Sequence, residues 1–201
     1  MFKILNNKIY TRVIILSFIL IFAVCCKYKG TPRPRGYFRI ELPEKEYFRL
    51  DSVMPYSILY PVYSFIETDI SQNAEPFWIN IEFPEFKATI HLTYKNLENN
   101  DIYELLEDNI KLTFNHTVKA DAIVERIFID DENNVFGTVF EIKGNAASPI
   151  QFFATDSVRH FLRGSLYFNT SPNRDSLAPV IDFINDDIVM MMENIRWKKV
   201  L

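Results

Sequence analysis

The arrangement in this sequence closest to a catalytic one is Asp156-Ser157-Val158-Arg159-His160, with Ser165 five residues on. Acyl transfer needs a nucleophile within hydrogen-bond reach of a base, and a third group to orient that base. Spacing tests the idea. If 158–168 is a strand, Asp156 and His160 stand about 13 Å apart at ~3.3 Å per residue. Only a helical turn would bring positions i and i+4 together. Ser157 also lacks the Gly-x-Ser-x-Gly setting of a nucleophile elbow. Asp156 and Ser157 therefore read as hairpin-turn residues whose side chains bond the local backbone. No catalytic residue is assigned. A hydrolase or ligand-binding protein using the Asp156–His160 region is the alternative kept open.

The other chemistry-bearing residues are sparse. His91, His116 and His160 are not paired at metal-ligand spacing, and no cysteine follows Cys26. No metal or cofactor site is assigned. Asp182, Asp186, Asp187 and Glu193 follow the last predicted helix on its polar side and read as a solvated face. Met190, Met191 and Met192 read as core filling. The five glycines are isolated, so no phosphate-cradling loop can be built from them.

The elements that would position these residues centre on 135–180. Three runs rich in β-branched and aromatic residues, separated by polar turns, predict an antiparallel meander that feeds a helix. Val139, Phe152, Phe153, Phe161, Leu166 and Phe168 are its core candidates. Upstream, strands are predicted over 37–42, 77–83, 88–94 and 123–129. The segment 44–50 is amphipathic but short. The run 56–66 is broken by Pro61 and suits an edge strand or two short strands. Residues 101–116 predict a helix, with Asp101 and Glu104 as a capping box. A second helix is predicted to start at Asp175 or Ser176, with Pro179 in its first turn. Its stripe Leu177, Val180, Ile181, Ile184, Ile188, Met191, Met192 and Ile195 must lie on the sheet.

Alternation along 158–168 puts Val158, His160, Leu162, Leu166 and Phe168 on one face and Arg159, Phe161, Arg163 and Tyr167 on the other. The first set is nearly all apolar, so His160 is expected to be a buried, hydrogen-bonded structural histidine. The second set mixes arginines with aromatics and is a candidate interaction surface. The competing expectation is that Phe161 and Tyr167 pack under a helix and that the arginines pair with acids such as Asp182 or Asp186.

The first 25 residues read as a targeting segment. Lys3, Lys8 and Arg12 give a positive start, and 13–24 carries no charge. This run is shorter than the about 20 apolar residues a spanning helix needs. It ends at Cys25-Cys26, which resembles a bacterial lipobox. Cys26 is the expected lipidation site, because Cys25 is a smaller preceding residue than Val24. Residues 26–36, with Lys27, Lys29, Arg33 and Arg35, read as a basic Pro/Gly tether beside the membrane. That leaves 37–201 as one domain, large enough for a substantial core. Net charge is −4 for the chain and −7 once Lys3, Lys8 and Arg12 are removed. An acidic domain argues against nucleic-acid binding.

The fold class expected is α+β, an antiparallel sheet covered by helices. Its element order resembles a Mog1/PsbP-like α/β/α sandwich, and such a likeness does not fix function. Several blocks resemble the gliding-motility lipoprotein GldD family: PRPRGYFRIELP (32–43), FWINIEFP (77–84), IHLTYK (90–95) and AASPIQFFATDSVRHFLRGSLYFNTSPNRDSLAPV (146–180). The resemblance implies an outer-membrane lipoprotein, palmitate-class acyl chains on its cysteine, and no enzyme activity. It implies partners among gliding and type IX secretion envelope proteins. With no acids in the tether that follows Cys26 (residues 27–36), a periplasm-facing location is the expectation.

Overall fold

Alternating apolar side chains dominate this chain, and in the computed structural model they build a seven-stranded, wholly antiparallel sheet. The structure describes residues 40–115, 120–170 and 174–198, all within the unit Tyr37–Leu201. Ten strands are described: β1 (Tyr47–Leu50), β2 (Tyr56–Pro61), β3 (Phe65–Thr68), β4 (Ile79–Phe83), β5 (Ala88–Asn96), β6 (Ala120–Asp130), β7 (Val135–Gly144), β8 (Ile150–Thr155), β9 (His160–Phe168) and β10 (Arg196–Trp197). The helices are α1 (Ile102–Asn115) and α2 (Arg174–Glu193). The large sheet has the order β3-β4-β5-β9-β8-β7-β6, and a small one has the order β1-β2-β10.

Register explains the core. Ile81 faces Ile90, Ile90 faces Leu166, and Leu166 faces Ile150, so one rung crosses four strands. All four are fully buried. The next rung runs Leu92, Gly164, Phe152, Val139. Gly164 is required by close approach. A Cβ there would lie 2.0 Å from Phe152 Cζ, so the Phe152 ring occupies the space that any side chain would need.

Helix α2 covers this face. Ile184, Ile188, Met191, Met192 and Ile195 are at most 2 % exposed, and Met192 Cε would meet a Cβ placed on Gly137. The predicted stripe therefore lies on the sheet. The opposite face carries α1, where Thr113 Oγ1 donates to Gln151 Oε1 at 3.3 Å. Gln151 and Phe152 are neighbours in β8 and point to opposite sides of it, so the two helices sit on opposite faces. The result is the expected α+β layered architecture, mostly antiparallel sheet with two helices.

Several boundaries differ from expectation. Of the strand predicted over 37–42, the described part (40–42) is not extended into any sheet. The first strand instead lies in 44–50, where Tyr47 pairs with Pro61. The run 56–66 is two strands, and they join different sheets. Helix α2 begins at Arg174, so Pro179 lies inside the helix, past its first turn. Asp101 does cap α1, accepting the Tyr103 N–H at 2.8 Å. The expected targeting segment, tether and Cys26 lie outside the described residues, as does His116. Among the described residues, no helix is long and apolar enough to cross a membrane.

Candidate functional site

Strand β9 begins with His160, 4 % exposed. Its Nδ1 lies 2.8 Å from Tyr94 Oη, and its ring stacks on Trp197 at 5.1 Å and 2°. Tyr94, His160 and Trp197 come from β5, β9 and β10, three parts of the chain that only the fold brings together. Burial lowers the His160 pKa, with the Asp156 carboxylate opposing and Arg159 reinforcing. Burial likewise pushes the Tyr94 phenol up to about 12. The pair is thus neutral at ordinary pH, a hydrogen bond between two uncharged rings. This matches the expectation of a buried, hydrogen-bonded structural histidine.

Tyr94 also anchors the surrounding aromatics. It contacts Tyr56 at 5.8 Å and Phe77 edge-on at 5.9 Å, and its carbonyl accepts the Trp78 indole N–H at 2.9 Å. Phe77 has a φ of 70°, a conformation that a bulky residue adopts only under constraint. Its carbonyl accepts the Tyr56 hydroxyl at 2.8 Å, and this bond helps hold it there.

Asp156 is spent on the backbone. Its Oδ1 accepts the N–H groups of Val158 at 3.0 Å, Arg159 at 2.8 Å and His160 at 2.8 Å. Burial raises its pKa, but these three donors outweigh that and hold it low. The carboxylate thus shapes the turn, while the imidazole's hydrogen bond goes to Tyr94. Ser157 sits in that turn at φ 64°. Ser165 is an odd number of residues from His160 on the same strand, so it points to the other face. The arrangement is a tight hairpin, as the turn reading expected, but it corrects the separation of about 13 Å: the non-helical turn folds the Asp156 carboxylate to 2.8 Å from the His160 amide.

The turn also corrects the predicted faces of 158–168. The strand starts at His160, and Val158 is 70 % exposed rather than in the core. Three amides captured by one carboxylate cannot also pair with a neighbouring strand, so alternation begins only at residue 160. Arg159 is accordingly an exposed turn residue. Phe161 is 2 % exposed and stacks on Phe153 at 5.8 Å and 7°. It is withdrawn from the candidate interaction surface, because a side chain that buried has nothing to offer a partner. Arg163 and Tyr167 are half-buried. Burial lowers the Arg163 pKa, offset in part by Tyr167 and by Asp108 of α1. The acid near Arg163 is therefore on α1, not the Asp182 or Asp186 of α2.

A second polar centre was missed by the sequence reading. Asp187, expected on a solvated face, is 1 % exposed. Its Oδ1 accepts Lys45 Nζ at 2.6 Å and Tyr47 Oη at 2.9 Å, and its Oδ2 accepts Tyr63 Oη at 2.6 Å. Lys45 also donates to the Phe183 carbonyl at 2.6 Å and lies 3.5 Å over the Phe183 ring. Burial raises the Asp187 pKa against the pull of these partners. Burial and the adjacent carboxylate raise both tyrosines further. One signal was available: residue 187 falls between Ile184 and Met191 at helical spacing, inside the apolar stripe. Its three partners could not be read from the sequence.

Both centres fasten elements together: Asp187 spends both carboxylate oxygens, and His160 its Nδ1, on groups of the protein itself. By its own geometry the chain is a three-layer α+β domain in which these two buried polar centres act as fasteners. The chain belongs to the gliding-motility lipoprotein GldD family: residues 27–197 match the family described as "Gliding motility lipoprotein GldD". It is thus a gliding-motility-related lipoprotein, as the sequence blocks implied. No curated protein matches it. Among solved structures it is similar to cyanobacterial PsbP (CyanoP) from Synechocystis sp. PCC 6803. That likeness has 8 % identity and a TM-score of 0.47, covering 80 % of this chain and 98 % of that one.

Proposed function

We propose that this lipoprotein is a non-enzymatic component of the gliding-motility and type IX secretion machinery, held at the outer membrane by acyl chains on Cys26 and facing the periplasm. The family match over residues 27–197 carries the reading. Two observations support it. The residues with the most catalytic spacing, Asp156 and His160, are spent on a turn and on Tyr94. The short apolar run ending at Cys26 suits a lipoprotein signal better than a membrane span. In this reading residues 1–25 are removed, 26–36 tether, and 37–201 form the working domain, whose partners are other envelope proteins of the same machinery.

The test is complementation of a strain lacking this protein. Cys26→Ala should release the domain from the membrane fraction and abolish spreading and secretion. Ser157→Ala and Ser165→Ala should leave both intact. Loss of spreading in either serine variant, with the protein folded and membrane-bound, would overturn the non-enzymatic reading. An unmodified mature N-terminus by mass spectrometry would remove Cys26 as the anchor.

A further inference from the structure

Helix α1 meets the sheet through polar side chains. Asn109 and Thr113, one turn apart, are 0 % exposed, and Gln151 of β8 is 1 % exposed. Helix α2, by contrast, lays Ile184, Ile188 and Met191 on the other face. A buried carboxamide costs free energy unless its donors and acceptors are paired. Among the described residues, four buried side-chain polar atoms have no partner in the chain. Three of them are together here: Asn109 Nδ2, Asn109 Oδ1 and Gln151 Nε2. The partnered end of Gln151 is only weakly held. The single hydroxyl proton of Thr113 is shared between the Asn109 carbonyl at 2.8 Å and Gln151 Oε1 at 3.3 Å.

The chemistry of these atoms selects what they bind. Asn109 offers one donor and one acceptor whichever way its amide is turned. An anion could not use its oxygen, and a cation could not use its nitrogen. Water accepts and donates at once, and a buried water typically makes about three hydrogen bonds, the number of atoms left over here. Neither carboxamide residue is more than 1 % exposed, so a larger molecule would have to displace α1 to reach them. We infer that an ordered water bridges Asn109 and Gln151, accepting from Nδ2 and Nε2 and donating to Oδ1. Water-mediated bonds hold nearly as well as direct ones. This bridge fastens α1 to β8, as the Asp187 centre fastens α2 to the start of the described chain.

The test is a crystal structure of the full-length protein at a resolution that shows ordered waters, joined to NMR water-contact spectra of its side-chain amides in detergent. Expected are one water within hydrogen-bond reach of all three atoms, and cross-peaks from a long-lived water to both amides. Asn109→Leu should remove the cross-peak at Gln151, and Gln151→Leu the one at Asn109. The melting temperature of Asn109→Leu should fall, although leucine is the better helix former and the more easily buried residue. If that variant fails to fold, the unmodified protein decides alone. A direct bond between Asn109 and Gln151, an ion in the density, a dry contact, a water at only one amide, or a rise in melting temperature in Asn109→Leu would each overturn the inference.

Discussion

The Lys45 ammonium lies 2.6 Å from Asp187 Oδ1, joining the start of the described chain to the buried face of its last helix. The Asp187 side chain is fully buried, whereas that of Lys45 is 28 % exposed. Removing the lysine leaves a buried carboxylate with two phenols and no cation. Lys45→Met should therefore destabilise the domain by about 1–3 kcal/mol. Combining it with Asp187→Asn should cost less than the two single changes added together, because the neutral amide no longer needs the cation. Chemical denaturation of the four proteins measures this coupling. Simple additivity would mean that the pair does not act as a unit.

His160 makes stability depend on pH in a defined direction. Its folded pKa is depressed below its ordinary value of about 6.5, so the unfolded chain binds the proton more readily. Its contribution is fully present above about pH 6.5 and is lost as pH falls from there toward the depressed folded value. The fall in melting temperature between pH 7.5 and pH 5 should be smaller in His160→Phe than in the unsubstituted protein. Parallel curves would show that His160 is not the group responsible.

Gly164 has no room for a methyl group. A Cβ would lie 2.0 to 2.5 Å from three atoms of the Phe152 ring, which is itself fully buried. Gly164→Ala should cost about 1–3 kcal/mol through overpacking. Gly164→Ala combined with Phe152→Leu should recover part of that loss, read in thermal melts. Equal losses with and without Phe152 would place the cause elsewhere.

The two arginines of the β8–β9 hairpin region should separate. Arg159 is an exposed turn residue, so Arg159→Glu should leave the melting temperature within experimental scatter. Arg163 is half-buried on the α1 face, in a setting that lowers its pKa. Arg163→Glu should lower the melting temperature by several degrees, as expected when a charge is reversed in a desolvated site. A motility defect in Arg159→Glu with normal stability would keep that residue as a partner contact.

The sequence by itself determined what depends on local pattern. Period-two alternation identified the strands of the meander, and the stripe from Leu177 to Ile195 correctly placed α2 on the sheet. The polar turn residues Asp156 and Ser157 marked a hairpin rather than a dyad, and the distinctive blocks identified the family. Tertiary structure alone decided which distant groups meet. Nothing local to His160 names Tyr94 or Trp197 as its partners. Nothing near Asp187 names Lys45, Tyr47 or Tyr63. Strand order decided burial as well: Leu162 and Phe128 lie on one rung of the large sheet, yet Leu162 in mid-sheet is fully buried while Phe128 on the end strand β6 is only half-buried. Periodicity reports which face a side chain points to. Whether anything covers that face depends on layers assembled from the whole chain.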